Sequence, residues 1–503
     1  MSLATVLSRA QNGLKAPRVR VEVHVSGGLP AFTIVGLAET AVRESRDRVR
    51  AAIQNAGLEF PQRRITVNLA PADFPKEGGR FDLAIAVGIL SATAQLPADS
   101  ASEIEFYGEL SLGGELRRVP GLFPALLHSR RDDRRLIVPR DNSAEAALVP
   151  GIEVGVAQHL LDVCRTLSGG SALPTPARLD AAAQPAAPDL ADVAGQTRAR
   201  RALEIAAAGG HNLMLIGLPG TGKSMLAARL PGLLPPLSEA EALEVAAIAS
   251  LTRQGFDPRL WRVRPFRSPH HTASTASLVG GGARPRPGEV SLAHRGVLFL
   301  DELPEFGRSA LEALREPMET GRVCLARAAH RAEFPARCQL VAAMNPCPCG
   351  YLGDPGGRCH CSREQVRRYR ARISGPLLDR IDLQVEMAPV SAAELLPGRS
   401  QGEASAPVRE RVRCARRRQW ERGRCLNAEL DAAQTERFCE PDREGRRLLS
   451  HALDRFALSA RAAHRVLRVA RSIADLAGAP GTRSADIAEA LALRALELKR
   501  AAW

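Results

Sequence analysis

Aromatic side chains are scarce in this 503-residue chain, with Trp 3, Tyr 3 and Phe 13 making only 4% of it. A surface that grips nucleic acid by stacking bases on rings has little to build from here. Lysine is almost absent: Lys15, Lys76, Lys223 and Lys499 are the only four among 69 basic residues, so positive charge is carried by arginine. No run of 18 apolar residues occurs, which excludes a membrane-spanning helix. The opening MSLATVLSRAQNG lacks the basic-then-apolar order of a secretory signal, so a cytoplasmic location is expected. In that compartment the ten cysteines read as thiols or metal ligands rather than disulfides.

Hydrophobic residues make up 45% and charged residues 25%, a globular composition, and the length suggests about two to four domains. Net charge is +14, which favours a polyanionic partner, nucleic acid before anionic membrane. GC-rich coding explains arginine over lysine, but not the excess over acids.

SALPTPARLDAAAQPAAP (171–188) reads as a linker, and PGRSQGEASAP (397–407) as a second boundary. Before the linker, residues 1–170 mix short strands (VRVEVHVSG, RITVNLA) with a helical pattern over 40–57, an α/β or α+β domain. Residues 189–395 alternate strand and helix, as a parallel α/β nucleotide domain does. Helical periodicity dominates 396–503, which is expected to form a bundle over the core.

HNLMLIG (211–217) is a buried-strand run that enters GLPGTGKS and then the helical MLAARL. This is G-x-x-x-x-G-K-[ST] in its strand–loop–helix setting. Gly217, Leu218, Pro219, Gly220, Thr221, Gly222, Lys223 and Ser224 are therefore the expected ATP-phosphate cradle. Backbone N–H groups wrap the phosphates there, Lys223 brings charge to the β- and γ-phosphates, and the Ser224 hydroxyl reaches Mg²⁺. GVLFLDEL (296–303) is a second apolar strand, ending in Asp301 for Mg²⁺ and Glu302 as the base for the attacking water. Asp301 lies 78 residues after Lys223, a spacing that leaves room for an insertion. A third strand, QLVAAMNP, ends in Asn345, which can touch γ-phosphate and water or simply form an Asn-Pro turn.

Cys347, Cys349, Cys359 and Cys361 follow as C-x-C-x₉-C-x-C. Four thiolates in a short Gly/Pro-rich stretch (insert 347–361) can hold tetrahedral Zn²⁺, with His360 as a substitute ligand; the alternative is four reduced thiols in a loop. FRSPHHTASTASLVGGGARPRPGEVSL (266–292) is the obvious insertion, its glycines followed by Arg284 and Arg286. RVCLARAAHRAEFPA (322–336) reads as a hairpin with Arg327, His330 and Arg331 near its tip. These five residues are candidate DNA contacts, suited to tracking phosphates. The basic stretches RYRAR and RERVRCARRRQWERGR are either further contacts or solvated helix faces.

GLPGTGKS, FRSPHHTAS, GVLFLDELPEF, NPCPCGYLGDP and ISGPLLDRIDL together resemble the ComM/YifB group of magnesium-chelatase-like AAA+ ATPases, nearly end to end. The resemblance implies a P-loop AAA+ αβα core, a C-terminal helical lid and a homo-oligomeric, hexameric ring. It also implies an ATPase that moves on single-stranded or branched DNA, a helicase promoting branch migration in natural transformation. Arg380 in LLDRID resembles the arginine finger that reaches a neighbouring subunit's γ-phosphate, with a salt bridge to Asp379 or Asp382 as its plain alternative. Arg461 resembles the sensor-2 arginine, with Arg465 and Arg468 as competitors. The N-terminal domain resembles a Lon-protease-like (S5-like) fold, yet Arg80 and Phe123 stand where the serine and lysine of a Ser–Lys dyad would be. Covalent peptidase chemistry then has no starting point. A second function class is a magnesium-chelatase-type subunit that remodels a protein partner.

Overall fold

The computed structural model describes residues 2–36, 42, 44–74, 76–97, 99–177, 187–282, 285–327, 330–389, 402–456 and 459–494. The middle of the expected linker, the 390–401 stretch and Arg284 lie outside them, as do the side chains of Arg327, His330 and Arg331. The chain forms two compact units. One comprises Met1–Pro185, Ala242–Trp261 and Ala328–Glu333; the other comprises Ala186–Glu241, Arg262–Arg327 and Phe334–Trp503. Two pieces of the expected nucleotide domain thus belong to the N-terminal unit.

That unit is built on a seven-stranded sheet: β1 (Ser2–Arg9), β2 (Arg18–Ser26), β3 (Ala31–Val35), β4 (Arg64–Ala70), β5 (Ile104–Phe106), β6 (Arg135–Pro139) and β7 (Val154–Ala157). Their order is β3-β4-β2-β1-β5-β6-β7. In β2 the alternation of the sequence becomes burial: Val19, Val21, Val23 and Val25 face the core while Arg20, Glu22 and His24 face outward. Helices α1 (Ser45–Asn55) and α2 (Asp82–Ala92) cover that apolar face. Gly88 of α2 lets helix and sheet approach closely, since a Cβ there would stand 2.6 Å from Val23 Cγ2. Arg80 is buried, donating to Gln11 Oε1 (2.8 Å) and the Pro120 carbonyl (2.7 Å). Burial pulls its pKa down to about 10. Phe123 is wholly buried, edge-on to Phe256 at 6.2 Å. Neither position offers a nucleophile or a general base.

The second unit holds a five-stranded parallel sheet of β8 (Leu213–Gly217), β9 (Phe266–Arg267), β10 (Val297–Leu300), β11 (Gln339–Met344) and β12 (Leu383–Met387). Its order is β9-β10-β11-β8-β12. Alternate residues supply two separate cores: Leu213, Leu215, Phe299, Val341 and Val385 on one face, Met214, Ile216, Leu298, Leu300 and Ala342 on the other. Burial on both faces is why these strands read as unbroken apolar runs. On the first face lie α3 (Thr197–Gly209) and the C-terminal helices, which include α7 (Ser405–Gly423), α8 (Arg443–Phe456), α9 (Ala460–Leu476) and α10 (Ser484–Ala492). Between β8 and α7 come α4 (Lys223–Ala227), α5 (Thr275–Val279) and α6 (Arg363–Arg370). Strands Arg322–Arg327 and His330–Pro335 form a two-stranded sheet.

The basic stretches are largely committed within the fold. In α7, Arg411 pairs with Glu204 and Glu403, Arg413 with Glu410 and Arg422 with Asp475, while Arg416 donates to the Ala207 carbonyl and Arg418 to that of Asp475. In RYRAR, Arg368 pairs with Glu364, Arg372 with Glu305, and Arg370 donates to the Pro346 carbonyl. Among the described residues no helix is long and apolar enough to cross a membrane.

Candidate nucleotide site and metal centre

Parallel strands deliver their C-terminal ends to one edge of a sheet, and the loops at that edge meet in space. The loop after β8 turns through Gly220 (φ 79°) and Gly222 (φ 87°) into α4. An added Cβ at either glycine would meet no atom of the chain, so backbone conformation is what selects glycine there. Lys223 is buried, and its ammonium donates to the carbonyls of Gly217 (2.8 Å) and Leu218 (2.9 Å) and to Asn345 Oδ1 (3.1 Å). Burial lowers its pKa, against the opposing pull of Asp301 and Glu302. The Ser224 hydroxyl donates to Asp301 Oδ2 at 2.6 Å. The three strand ends thus place Lys223, Ser224, Asp301 and Asn345 in one connected polar set. Glu302, in a left-handed conformation at φ 53°, projects its carboxylate beside it, with Oε2 3.1 Å from His271 Nδ1. Oxygen donors from Ser224 and Asp301 at hydrogen-bond spacing suit a hard divalent cation such as Mg²⁺.

The four cysteines come together at once after Asn345. Their sulfurs lie within 4.8 Å of one another, with 3.4 Å between Cys347 and Cys349, 3.8 Å between Cys347 and Cys359 and 3.7 Å between Cys349 and Cys359. Tetrahedral zinc with ordinary Zn–S bonds needs sulfur–sulfur edges of about 3.8 Å, so the set fits that ion. The Tyr351 backbone N–H lowers the Cys349 thiol to about 6, while the Cys359 and Cys361 thiols are raised. His360 is exposed and outside the cluster. The knuckle also abuts the phosphate loop. Gly350 (φ 87°) has no room for a side chain, because a Cβ would stand 2.8 Å from Pro219 Cγ.

Arg380 and Arg461 are at the other edge of the sheet. They line a groove of about 820 Å³ together with Asn212, Gly296, Gln339 and Asp382, the residues at the N-terminal ends of β8, β10, β11 and β12. Arg380 pairs with Glu319 rather than with Asp379 or Asp382. Burial, then the nearby Arg315, Arg465 and Arg461, lowers its pKa. Arg465 leans toward Asp382 (3.8 Å), and Arg468 donates to Thr435 Oγ1 (3.0 Å). Arg461 is exposed. The pair is thus separated by the length of the strands from the chain's own phosphate loop. Arg286 is exposed on the short hairpin of Gly280–Gly281 and Arg286–Pro287.

Family models divide the chain almost completely. Magnesium chelatase, subunit ChlI, matches residues 189–395; subunit ChlI of Mg-chelatase matches 21–142; the ChlI C-terminal model matches 402–494. A YifB protein of Salmonella typhimurium is 50% identical over 497 residues, covering 99% of this chain and 98% of that protein. The chain belongs to the magnesium-chelatase ChlI family, as a YifB/ComM homologue. Competence protein ComM of Haemophilus influenzae is 49% identical over 501 residues, with 99% and 98% covered. A 74-residue stretch is 39% identical to the maternal DNA replication licensing factor mcm3 of Xenopus laevis, 15% of this chain and 9% of that one. Membership implies that the chain is a chelatase-type ATPase. The FRSPHHTAS segment carries no sequence signal that singles out His271. What brings it to Glu302 is that β9 and β10 are neighbours, which spacing along the chain does not disclose.

Proposed function

We propose that this chain is an ATP-driven ring motor acting on DNA, a translocase or helicase that promotes branch migration of incoming strands. The observation that carries the ring is the split of the site. Lys223, Ser224, Asp301, Glu302 and Asn345 gather at one edge of the sheet, and Arg380 and Arg461 at the other. One subunit therefore supplies the phosphate cradle, and its neighbour supplies the guanidinium groups that stabilise charge on the transferred phosphoryl. Ser224 and Asp301 would hold a magnesium ion, which when bound would neutralise phosphate charge. Glu302 takes the proton of the attacking water, and Asn345 with Lys223 orients the γ-phosphate.

DNA as the ligand is supported by the net charge of +14, by the basic hairpin at Arg286, and by the name of the ComM relative, a competence protein. Arginine-rich loops without aromatics suit backbone tracking, and binding through several phosphates should weaken steeply with salt. The test is ATPase activity with no DNA, single-stranded DNA, duplex DNA and a four-way junction at low salt. Stimulation is expected, strongest with the branched form. If every form leaves turnover unchanged, the motor acts on something else, and the chelatase-type reading of a protein partner takes its place.

The cysteine knuckle is assigned to zinc on the same footing. About one zinc per chain is expected on metal analysis, with Cys347→Ser/Cys359→Ser protein holding none. Because the knuckle abuts Pro219, stripping the metal should also weaken nucleotide binding several-fold. Purified protein without zinc, prepared without chelator, would return the four thiols to a plain loop.

A further inference from the structure

The turn that carries Arg380 is braced by a side chain that the mechanism above leaves unused, that of Asn212. Its place follows from strand register. Leu213, the first residue of β8, pairs with Leu383 of β12 on one side and with Val341 of β11 on the other. One residue earlier, Asn212 stands between Asp382 and Leu340, at the N-terminal ends of all three strands. Its backbone prolongs the β8–β12 pairing. The Asn212 carbonyl accepts from the N–H groups of Asp382 (3.1 Å) and Leu383 (3.0 Å), and its own N–H donates to Asp382 Oδ2 (3.1 Å). The side-chain amide is divided between two neighbours. Oδ1 accepts from the Leu340 N–H of β11 at 2.8 Å, and Nδ2 donates to the Arg380 carbonyl at 2.8 Å. A backbone N–H only donates and a carbonyl only accepts, so these partners fix which way the amide points.

Arg380 lies outside any strand, between the short helical turn Gly375–Leu378 and the start of β12 at Leu383. The residue after it, Ile381, is wholly buried. Asn212 therefore grips the main chain on both sides of that anchor, at the Arg380 carbonyl and at the Asp382 carboxylate. The Arg380 guanidinium itself is bound to Glu319 and to the Pro376 carbonyl, contacts that tie the side chain and not the backbone. Asn212, Arg380 and Arg461 all line the same groove. Strand β8 thus carries the phosphate loop at one end and braces Arg380 at the other.

A guanidinium on a long side chain meets phosphate oxygens in a fork only when the backbone it hangs from is fixed. We propose that Asn212 is a positioning residue for Arg380, its amide holding the main chain from which the guanidinium reaches a phosphoryl group. This rests on the reading of Arg380 as the group that acts on a neighbour's nucleotide.

The test variant is Asn212→Asp. It keeps an oxygen for the Leu340 N–H but sets a second oxygen, with no proton to give, against the Arg380 carbonyl. Phosphate release measures kcat, a fluorescent ATP analogue measures affinity, thermal melting measures fold, and mass measurement confirms mixing. Displacing the arginine should lower kcat about ten- to a hundredfold with analogue affinity unchanged. Adding Lys223→Ala protein should restore turnover, because the intact cradle of Asn212→Asp then meets an undisplaced Arg380. Adding Arg380→Ala protein should not. Placed on the Arg380→Ala background, Asn212→Asp should bring no further loss. A residue that only steadies the sheet would behave otherwise, with weaker analogue binding, no rescue by Lys223→Ala and a further loss on that background. Wild-type kcat in folded Asn212→Asp overturns the proposal, and so does lost turnover that Lys223→Ala fails to rescue while it does rescue Arg380→Ala. If Arg380→Ala is not rescued either, action on a neighbour is what fails. The double variant then decides: no further loss keeps Asn212 as the brace of an arginine acting in its own subunit, and a further loss removes it. Normal turnover by Arg380→Ala sinks both readings together. Should Asn212→Asp fail to fold, Asn212→Ala is judged by the same mixing and the same double variant.

Discussion

Lys223→Ala protein is expected to lose nucleotide binding outright, while Glu302→Gln protein binds as wild type and does not turn over. Lys223 is the cation of the cradle, held by the carbonyls of Gly217 and Leu218 and by Asn345. Removing it takes away the charge that meets the β- and γ-phosphates and leaves three acceptors facing each other. The Glu302 backbone N–H donates to Asp301 Oδ1, while its carboxylate stands outside the cradle and contacts His271. The amide of Gln keeps the size but cannot take a proton, so turnover should fall by about 10²- to 10⁴-fold with affinity intact. A filter-binding assay with radiolabelled ATP beside a phosphate-release assay separates the two variants. Normal hydrolysis by Glu302→Gln would remove Glu302 from the base role.

Arg380→Ala should bind ATP normally and lose turnover by about 10³-fold or more, the usual cost of deleting an arginine finger. Its decisive feature is rescue. Because the cradle and Arg380 stand at opposite edges of one sheet, neither single variant contains a complete interface. Mixed with Lys223→Ala protein, however, some interfaces join the intact cradle of the Arg380→Ala subunit to the intact Arg380 of the Lys223→Ala subunit. In an equal random mixture roughly a quarter of interfaces are whole, so activity should return to a comparable fraction of wild type. Mass measurement confirms mixing. Mixed rings that stay inactive would mean that Arg380 works within its own subunit or only holds Glu319.

How much of this was legible in advance depends on how local the interactions are. The strand–loop–helix unit around 211–230 is contiguous, so its glycines, Lys223 and Ser224 declare themselves along the chain. Asp301, Glu302 and Asn345 are read from the same rule, because each ends a strand buried on both faces and such strands are unbroken apolar runs. The cysteine knuckle is contained in fifteen residues and needs only its own turns to close. The positions occupied by Arg80 and Phe123 were likewise plain from sequence, and the fold adds only that both side chains are buried.

Other features required the fold. The arginines of α7 look the same in sequence whether they face solvent or end on Glu204, Asp475 and the carbonyls of neighbouring helices, since partners some 50 to 210 residues away leave no trace nearby. The stretch Ala242–Trp261 sits within the nucleotide domain in sequence but joins the N-terminal unit, where Leu243, Ala246 and Phe256 share a core with Phe123 and Leu126. Helical periodicity announces an apolar face without saying which core will take it. The pairing of His271 with Glu302 depends on the register of β9 against β10. Arg380 and Arg461 could be proposed from their motifs, but only the direction of the strands put them in one groove, away from their own phosphate loop. The sequence by itself determined which side chains are candidates for the chemistry, because contiguous strand, loop and helix patterns display them. The tertiary structure decided which of them gather at one end of the strands and which lie at the other, because a parallel sheet sorts residues by strand end rather than by distance along the chain.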